Sequence, residues 1–351
     1  MVDFGDVQAN NLFQKDPPLS TDRLLQNEFF KIQIDEKTGG VRSVQQHSRK
    51  INLAGQQLAI RLPKNHPSKM LYADMVADSI DTIENQTLTA AIKSTGRLVA
   101  GDLELARFEQ TVRIVRGINR IEFDVKLEPL EALTASREHY ICSRLAWKSE
   151  GARLMANVLD SCEQVANQWF HATQFVTIKE TDAPAVSMLT GGLPFHRRAN
   201  RRMFDSVLMT SNESQTTFSF AIAIDQPYPC AAAAARLSPT VQLPANNPTE
   251  STHSHPDWLF HFNRKNILAT SATPIFNDAG KCSGVSLRLK ETESRTAELT
   301  ISVSKILQAA EIAKFNGEVF STLPLDEADN RRVTFSFNPL TFLQVNLYFQ
   351  K

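Results

Sequence analysis

The chain has 351 residues, and its 38 lysines and arginines balance 38 aspartates and glutamates, so the formal net charge is zero. A balanced surface lacks the basic face that nucleic acid or an anionic membrane requires, so neither is expected as a partner. With 42% hydrophobic and 22% charged residues and no long repeat, the composition excludes a disordered, collagen-like or coiled-coil chain.

Residues 1–26, with Pro17-Pro18, read as a leader segment, and Thr21 to Leu25 as no more than a short turn. The opening Met1-Val2-Asp3-Phe4-Gly5-Asp6 is acidic and has no apolar core, which predicts no signal peptide and a cytoplasmic location. Phe30, Ile32 and Ile34 then alternate with Lys31, Gln33 and Asp35, the period of two that marks a half-buried strand. Gly39-Gly40 precede a second alternating run from Val41, so the two runs form a hairpin. Leu58, Ile60 and Leu62 make a strand that Pro63 stops. The stretch from Phe108 to Gly117 and the alternation of Ile121, Phe123, Val125 and Leu127 predict a second hairpin. The pattern recurs at Phe218 to Ile222, Val285 to Leu289, Leu299 to Val303, Val333 to Phe337 and Leu343 to Phe349.

The last run includes Asn346-Leu347-Tyr348-Phe349-Gln350, which has the letters of a protease-tag remnant but alternates as a native strand does. Lys305 to Glu311 is the one later segment with a helical look. Strands at intervals of 8 to 12 residues predict an all-β sandwich running from residue 27 to residue 351. The loop-like stretch from Pro239 to Pro256, with four prolines, is a possible seam between two β lobes.

Three groups of residues have chemical potential. Cys142, Cys162, Cys230 and Cys282 lack any C-x-x-C spacing and read as free thiols, mostly buried. His253-Ser254-His255-Pro256-Asp257, followed by His261, is the only His and carboxylate cluster. It offers donors that a metal could use, but in a Pro- and Ser-rich run at a strand entrance, so no metal is assigned. Gly191-Gly192-Leu193-Pro194-Phe195 leads into His196, Arg197, Arg198, Arg201 and Arg202, which put four arginines within six residues. Guanidinium forks can hold hydroxyl and carboxylate oxygens, or can simply pair with acids such as Asp205, and both readings stand. No nucleophile elbow, P-loop or dinucleotide fingerprint is present.

Several segments in order resemble the C-terminal β region of family 38 glycoside hydrolases, the α-mannosidases, in their bacterial form. They are Asn27 to Asp35 with Thr38 to Ser43, Arg107 to Thr111 with Arg116-Gly117, and Ser143 to Trp147. The arginine segment from Gly191 to Asp205, Trp258 to His261 and Arg288 to Glu293 complete the series. The resemblance implies a large β-supersandwich of the galactose-mutarotase-like type. It further implies a non-catalytic, structural role with possible contact to a mannoside-like carbohydrate.

In that family, zinc, nucleophile and acid lie in a preceding catalytic domain, so no cofactor is expected in this chain. The missing catalytic domain, or a split partner chain, is the expected partner. His255-Pro256-Asp257 imitates the family's metal motif in letters but sits in the wrong region. Carbohydrate-contact candidates are His196, Arg197, Arg198, Arg201, Arg202 and Trp258. His196-Arg197-Arg198 and Asn200-Arg201-Arg202 compete for the match to the family's pattern of an acidic residue or histidine before two arginines, and in the second Asn200 stands at the first position.

Two other readings remain open. A stand-alone carbohydrate-binding module would stack sugars on Trp169, Trp258 and Tyr140. A mutarotase-like enzyme would use His139 or His171 as a base beside an acid.

Overall fold

The structure, a computed structural model, describes residues 17–47, 51–158, 161–238 and 259–350. The whole 239–256 stretch, the His253 to Asp257 run and Trp258 lie outside the described residues.

Strands dominate, as the period-two patterns imply. A nine-stranded antiparallel sheet has the hydrogen-bonded order Ser20–Thr21, Leu24–Gln26, Phe30–Ile34, Val41–Gln46, Asn52–Arg61, Tyr140–Ala146, Met203–Met209, Phe195–Asn200, Trp169–His171. A second nine-stranded sheet runs Ser161–Gln164, Arg153–Val158, Phe175–Lys179, Val186–Leu189, Thr217–Ile224, Arg120–Pro129, Leu103–Val115, Thr89–Ala100, Asp74–Asn85. Their facing sides share one core, in which Ile32, Leu58, Ile141 and Phe204 meet Phe108, Val112, Phe123 and Ile222. Ile34, Val125 and Leu127 are buried with them, each at an apolar position of an alternating run.

A second lobe has its own core. A three-stranded sheet (Phe260–Phe262, Ala297–Val303, Arg332–Phe337) faces a five-stranded one (Ile267–Phe276, Cys282–Glu291, Phe342–Phe349, Leu307–Ala313, Val319–Leu323). Leu299, Ile301 and Phe337 of the first pack with Leu287, Leu289, Val345 and Leu347 of the second. The strand Phe342–Phe349 is central in its sheet, and Leu347 within it is fully buried.

Two turns show why glycine stands where it does. In the first hairpin Gly39 has φ +73°, and a Cβ there would lie 2.7 Å from Ser94 Cβ. The Asp35 carboxylate closes the same turn by accepting N–H bonds from Lys37 and Thr38. Before the arginine segment Gly191 has φ +66°, and a Cβ there would lie 2.1 Å from the Ser219 carbonyl oxygen. Only glycine admits both the conformation and the approach.

Two expectations need correction. Lys305 to Glu311 is not helical: Leu307–Ala313 is a strand between Phe342–Phe349 and Val319–Leu323, because sheet pairing outweighs the helical preference of its alanines. Within residues 20–26, assigned above to the leader and read in part as a turn, Leu24–Gln26 pairs onto Phe30–Ile34 and Ser20–Thr21 pairs onto Leu24–Gln26. The one helix among the described residues is Pro229–Leu237, an alanine run with proline in its first turn, which suits the helix start. Cys230 and Ala233 seat it on Phe175, Leu189 and Ala221 of the second sheet, where Leu268 of the second lobe also packs.

Candidate functional site

The four arginines lie on a β-hairpin. Phe195–Asn200 pairs antiparallel with Met203–Met209, and Arg201 and Arg202 form the turn. Strand alternation therefore sends these side chains into different surroundings.

His196 points into the core and is completely buried, stacked on Phe170 at 5.3 Å and edge-on to Phe204. Its Nε2 donates to the carbonyl oxygens of Ala172 (2.9 Å) and Leu193 (3.1 Å). Burial, outweighing these two bonds, drives its pKa from 6.5 down to about 4. A neutral, enclosed imidazole of this kind is structural and cannot reach a sugar.

Arg197 is also buried, at 6% exposure, whereas Arg198 is half-buried. The Arg198 guanidinium has no hydrogen-bond or ion-pair partner among the described residues. Arg201 and Arg202 are well exposed and share Glu150 at 3.6 and 3.8 Å. Such long, solvated contacts hold a side chain only loosely, at about 0–1 kcal/mol each.

The outer face of the first sheet carries an arrangement that no sequence motif announces. Register places Gln57 opposite Arg144, Arg144 opposite Asp205, Asp205 opposite Arg197, and Arg197 opposite Trp169. Residues directly opposite share a face, so these five form one row across five strands. Asp205, fully buried, is its hub. Its Oδ1 accepts from Arg144 Nε at 3.0 Å. Its Oδ2 accepts from the hydroxyls of Tyr72 (2.7 Å) and Tyr140 (2.8 Å).

The Arg144 guanidinium lies 3.7 Å from the centre of the Tyr72 ring, and that of Arg61 lies 5.0 Å from it. Arg61 is itself paired with Glu138. Burial, reinforced by the Asp205 charge, raises the pKa of both tyrosines, and burial does the same to the Cys142 thiol. Trp169 meets Tyr140 edge-on at 5.5 Å.

Beside this row an open cleft of about 460 Å³ is lined by Asp35, Arg42, Gln57, Arg144, Trp147 and Lys148, among others. The backbone N–H of Trp147 donates to the Arg202 carbonyl at 3.0 Å, which fixes the arginine turn at the cleft's margin. The cleft is thus bordered by cations, with an indole in its wall.

The residues named for the other two readings fare differently. Tyr140 is buried and hydrogen-bonded, so it offers no stacking face, while Trp169 is half-exposed. His139 is mostly buried, and its Nδ1 accepts from the Thr134 N–H at 3.0 Å. His171 packs edge-on against Phe195. No described histidine reaches a carboxylate. The described residues contain no group of three metal-ligating side chains, and they contain no helix long and apolar enough to cross a membrane. None of the four cysteines forms a disulfide: Cys142 and Cys230 are buried, Cys162 half-buried and Cys282 exposed.

Fold and face together define an all-β, two-lobed sandwich with a cation-bordered cleft on its first sheet. This is the fold of part of the family 38 glycoside hydrolases. A glycosyl hydrolase family 38 protein from Enterococcus faecalis superposes with a TM-score of 0.66 at 12% identity, over 95% of this chain and 44% of its own. An alpha-mannosidase from Enterococcus faecalis V583 does so with a TM-score of 0.66 at 9% identity, over 95% of this chain and 43% of its own. This chain therefore spans less than half the length of either protein. A putative aldose 1-epimerase from Escherichia coli K12 aligns with 58% of this chain and 98% of its own, at 10% identity and a TM-score of 0.37. No protein-family model matches the chain, and no curated protein matches it.

Proposed function

We propose that this chain is a non-catalytic β-sandwich region of an α-mannosidase-like glycoside hydrolase, which contacts a mannoside-like carbohydrate at its arginine hairpin. The observation that carries the reading is the fold shared, over 95% of this chain, with the two longer Enterococcus proteins. The contacts would come from Arg198, Arg201 and Arg202 and from the cleft beside their hairpin, since all three retain donors that are not committed to a buried partner. Zinc, nucleophile and general acid would belong to a catalytic domain outside this chain, in the same polypeptide or in a partner. The described residues supply no ligand set for zinc, so no step is assigned to it here.

The test of the non-catalytic half is direct. Retaining glycosidases hold nucleophile and acid about 5 Å apart across the scissile bond. The purified chain, with or without added zinc, should release no product from an aryl α-mannoside above background. Turnover that survives further purification and is lost on replacing a single carboxylate would overturn the reading.

A further inference from the structure

We infer that Arg197 anchors a binding site for a small oxyanion, a carboxylate or phosphate carried on a sugar-sized molecule. The inference stands on charge balance and does not rest on the α-mannosidase-like reading.

Buried cations are normally paired, because removal from water is costly and only an adjacent anion restores the balance. On the outer face of the first sheet, Arg61 has Glu138 and Arg144 has Asp205. Arg197, only 6% exposed, has no carboxylate within ion-pair distance among the described residues. The single hydrogen bond of its guanidinium runs from Nη1 to the neutral Tyr72 hydroxyl at 3.0 Å. Asp205 stands opposite it in register, yet its oxygens are taken up by Arg144, Tyr72 and Tyr140. Among the described residues the cluster is one negative charge short.

The unused part of the guanidinium has a defined shape. With Nη1 on Tyr72, the Nε–Nη2 edge remains, and Nε is buried without a hydrogen-bond partner. Two parallel N–H donors at that edge match the two oxygens of a carboxylate or phosphate, the strongest geometry a guanidinium offers. Nε is shut off from water in this conformation, so the second oxygen seats only as the side chain shifts towards the surface. Trp169, directly across the strand pair and half-exposed, provides a flat apolar wall beside the anion. A charged fork next to an indole suits a sugar acid or sugar phosphate better than a bare ion.

The experiment is a thermal-shift and tryptophan-fluorescence titration of the whole chain at constant ionic strength. Its probes are D-glucuronate, glucose 6-phosphate, inorganic phosphate and neutral methyl α-glucoside. A saturable rise in Tm of several degrees is expected with glucuronate, glucose 6-phosphate or both, and the active arm assigns the oxyanion. Methyl α-glucoside should give none. In the R197Q variant the anion-dependent rise should vanish, while Tm without ligand stays within about a degree, since an unpaired buried charge contributes little to folding. R197K keeps the charge but not the fork, and should bind at least tenfold more weakly.

No rise with any anion would overturn the inference. So would an equal rise in wild type and R197Q, or a rise with inorganic phosphate that both variants retain. A fall of many degrees in both ligand-free variants would make Arg197 a structural residue and overturn it as well.

Discussion

Replacing Asp205 by asparagine tests the row on the first sheet most severely. The substitution keeps the shape and removes the charge that Arg144, Tyr72 and Tyr140 all address. Arg144, about one-fifth exposed, would lose its only carboxylate among the described residues and would become a second unpaired cation beside Arg197. The asparagine NH2 must also turn towards a donor. Breaking a buried ion pair from one side costs about 3–5 kcal/mol. The two phenol bonds, reduced from charge-assisted to neutral, lie within that figure rather than adding to it. For a lobe of this size each kcal/mol moves Tm by roughly 2–4 °C, so a fall of roughly 6–20 °C is expected. Urea unfolding followed by tryptophan fluorescence reads the loss, because Trp147 and Trp169 both lie in this lobe. A loss below about 1 kcal/mol would show that the row is a solvated surface cluster, and the reasoning would fail.

Other consequences follow from neighbouring residues. Arg201→Ala and Arg202→Ala, on the same hairpin but well exposed, should each cost at most about 1 kcal/mol, and a larger loss in denaturant titration would contradict their assignment as loosely held. His196 is neutral in the fold down to about pH 4, whereas the unfolded chain takes up the proton near 6.5. Stability should therefore be intact above about pH 6.5 and fall between there and about 4, by roughly 3 kcal/mol. His196→Gln should flatten that part of the pH profile, and an unchanged profile would refute the cause. Gly39→Ala forces a left-handed residue against Ser94 and should cost at least ~1–2 kcal/mol, visible as a fall of several degrees in Tm. An unchanged Tm would mean the turn relaxes freely.

Alternation made the fold legible wherever one face of a strand is apolar and the other polar, as at Phe30 to Ile34 and Ile121 to Leu127. It failed at Leu307–Ala313, where small alanines blur the contrast between faces. The helix at Pro229–Leu237 was visible in principle, since its alanine run begins with a proline that favours a helix start.

The arginine segment drew attention by composition, but composition cannot say which face each residue takes. The hairpin register buries His196 and Arg197 and leaves Arg201 and Arg202 in solvent. The Asp205 hub was only partly legible, as a nearby acid for the arginines. Its true partners Tyr72, Tyr140 and Arg144 come from a neighbouring loop and a paired strand, up to 133 residues away. Cross-strand register, not spacing along the chain, brings them together.

The central claim is that this sandwich contacts a mannoside without hydrolysing it, and calorimetric titration with α-mannobiose tests it most directly. Wild type should bind saturably, with the disaccharide recovered intact. The triple variant Arg198→Ala, Arg201→Ala, Arg202→Ala should bind at least tenfold more weakly, because each charge-assisted hydrogen bond is worth about 1.5–3 kcal/mol. Equal binding by the two proteins, no binding by either, or cleavage of the disaccharide by the wild-type chain would contradict the account.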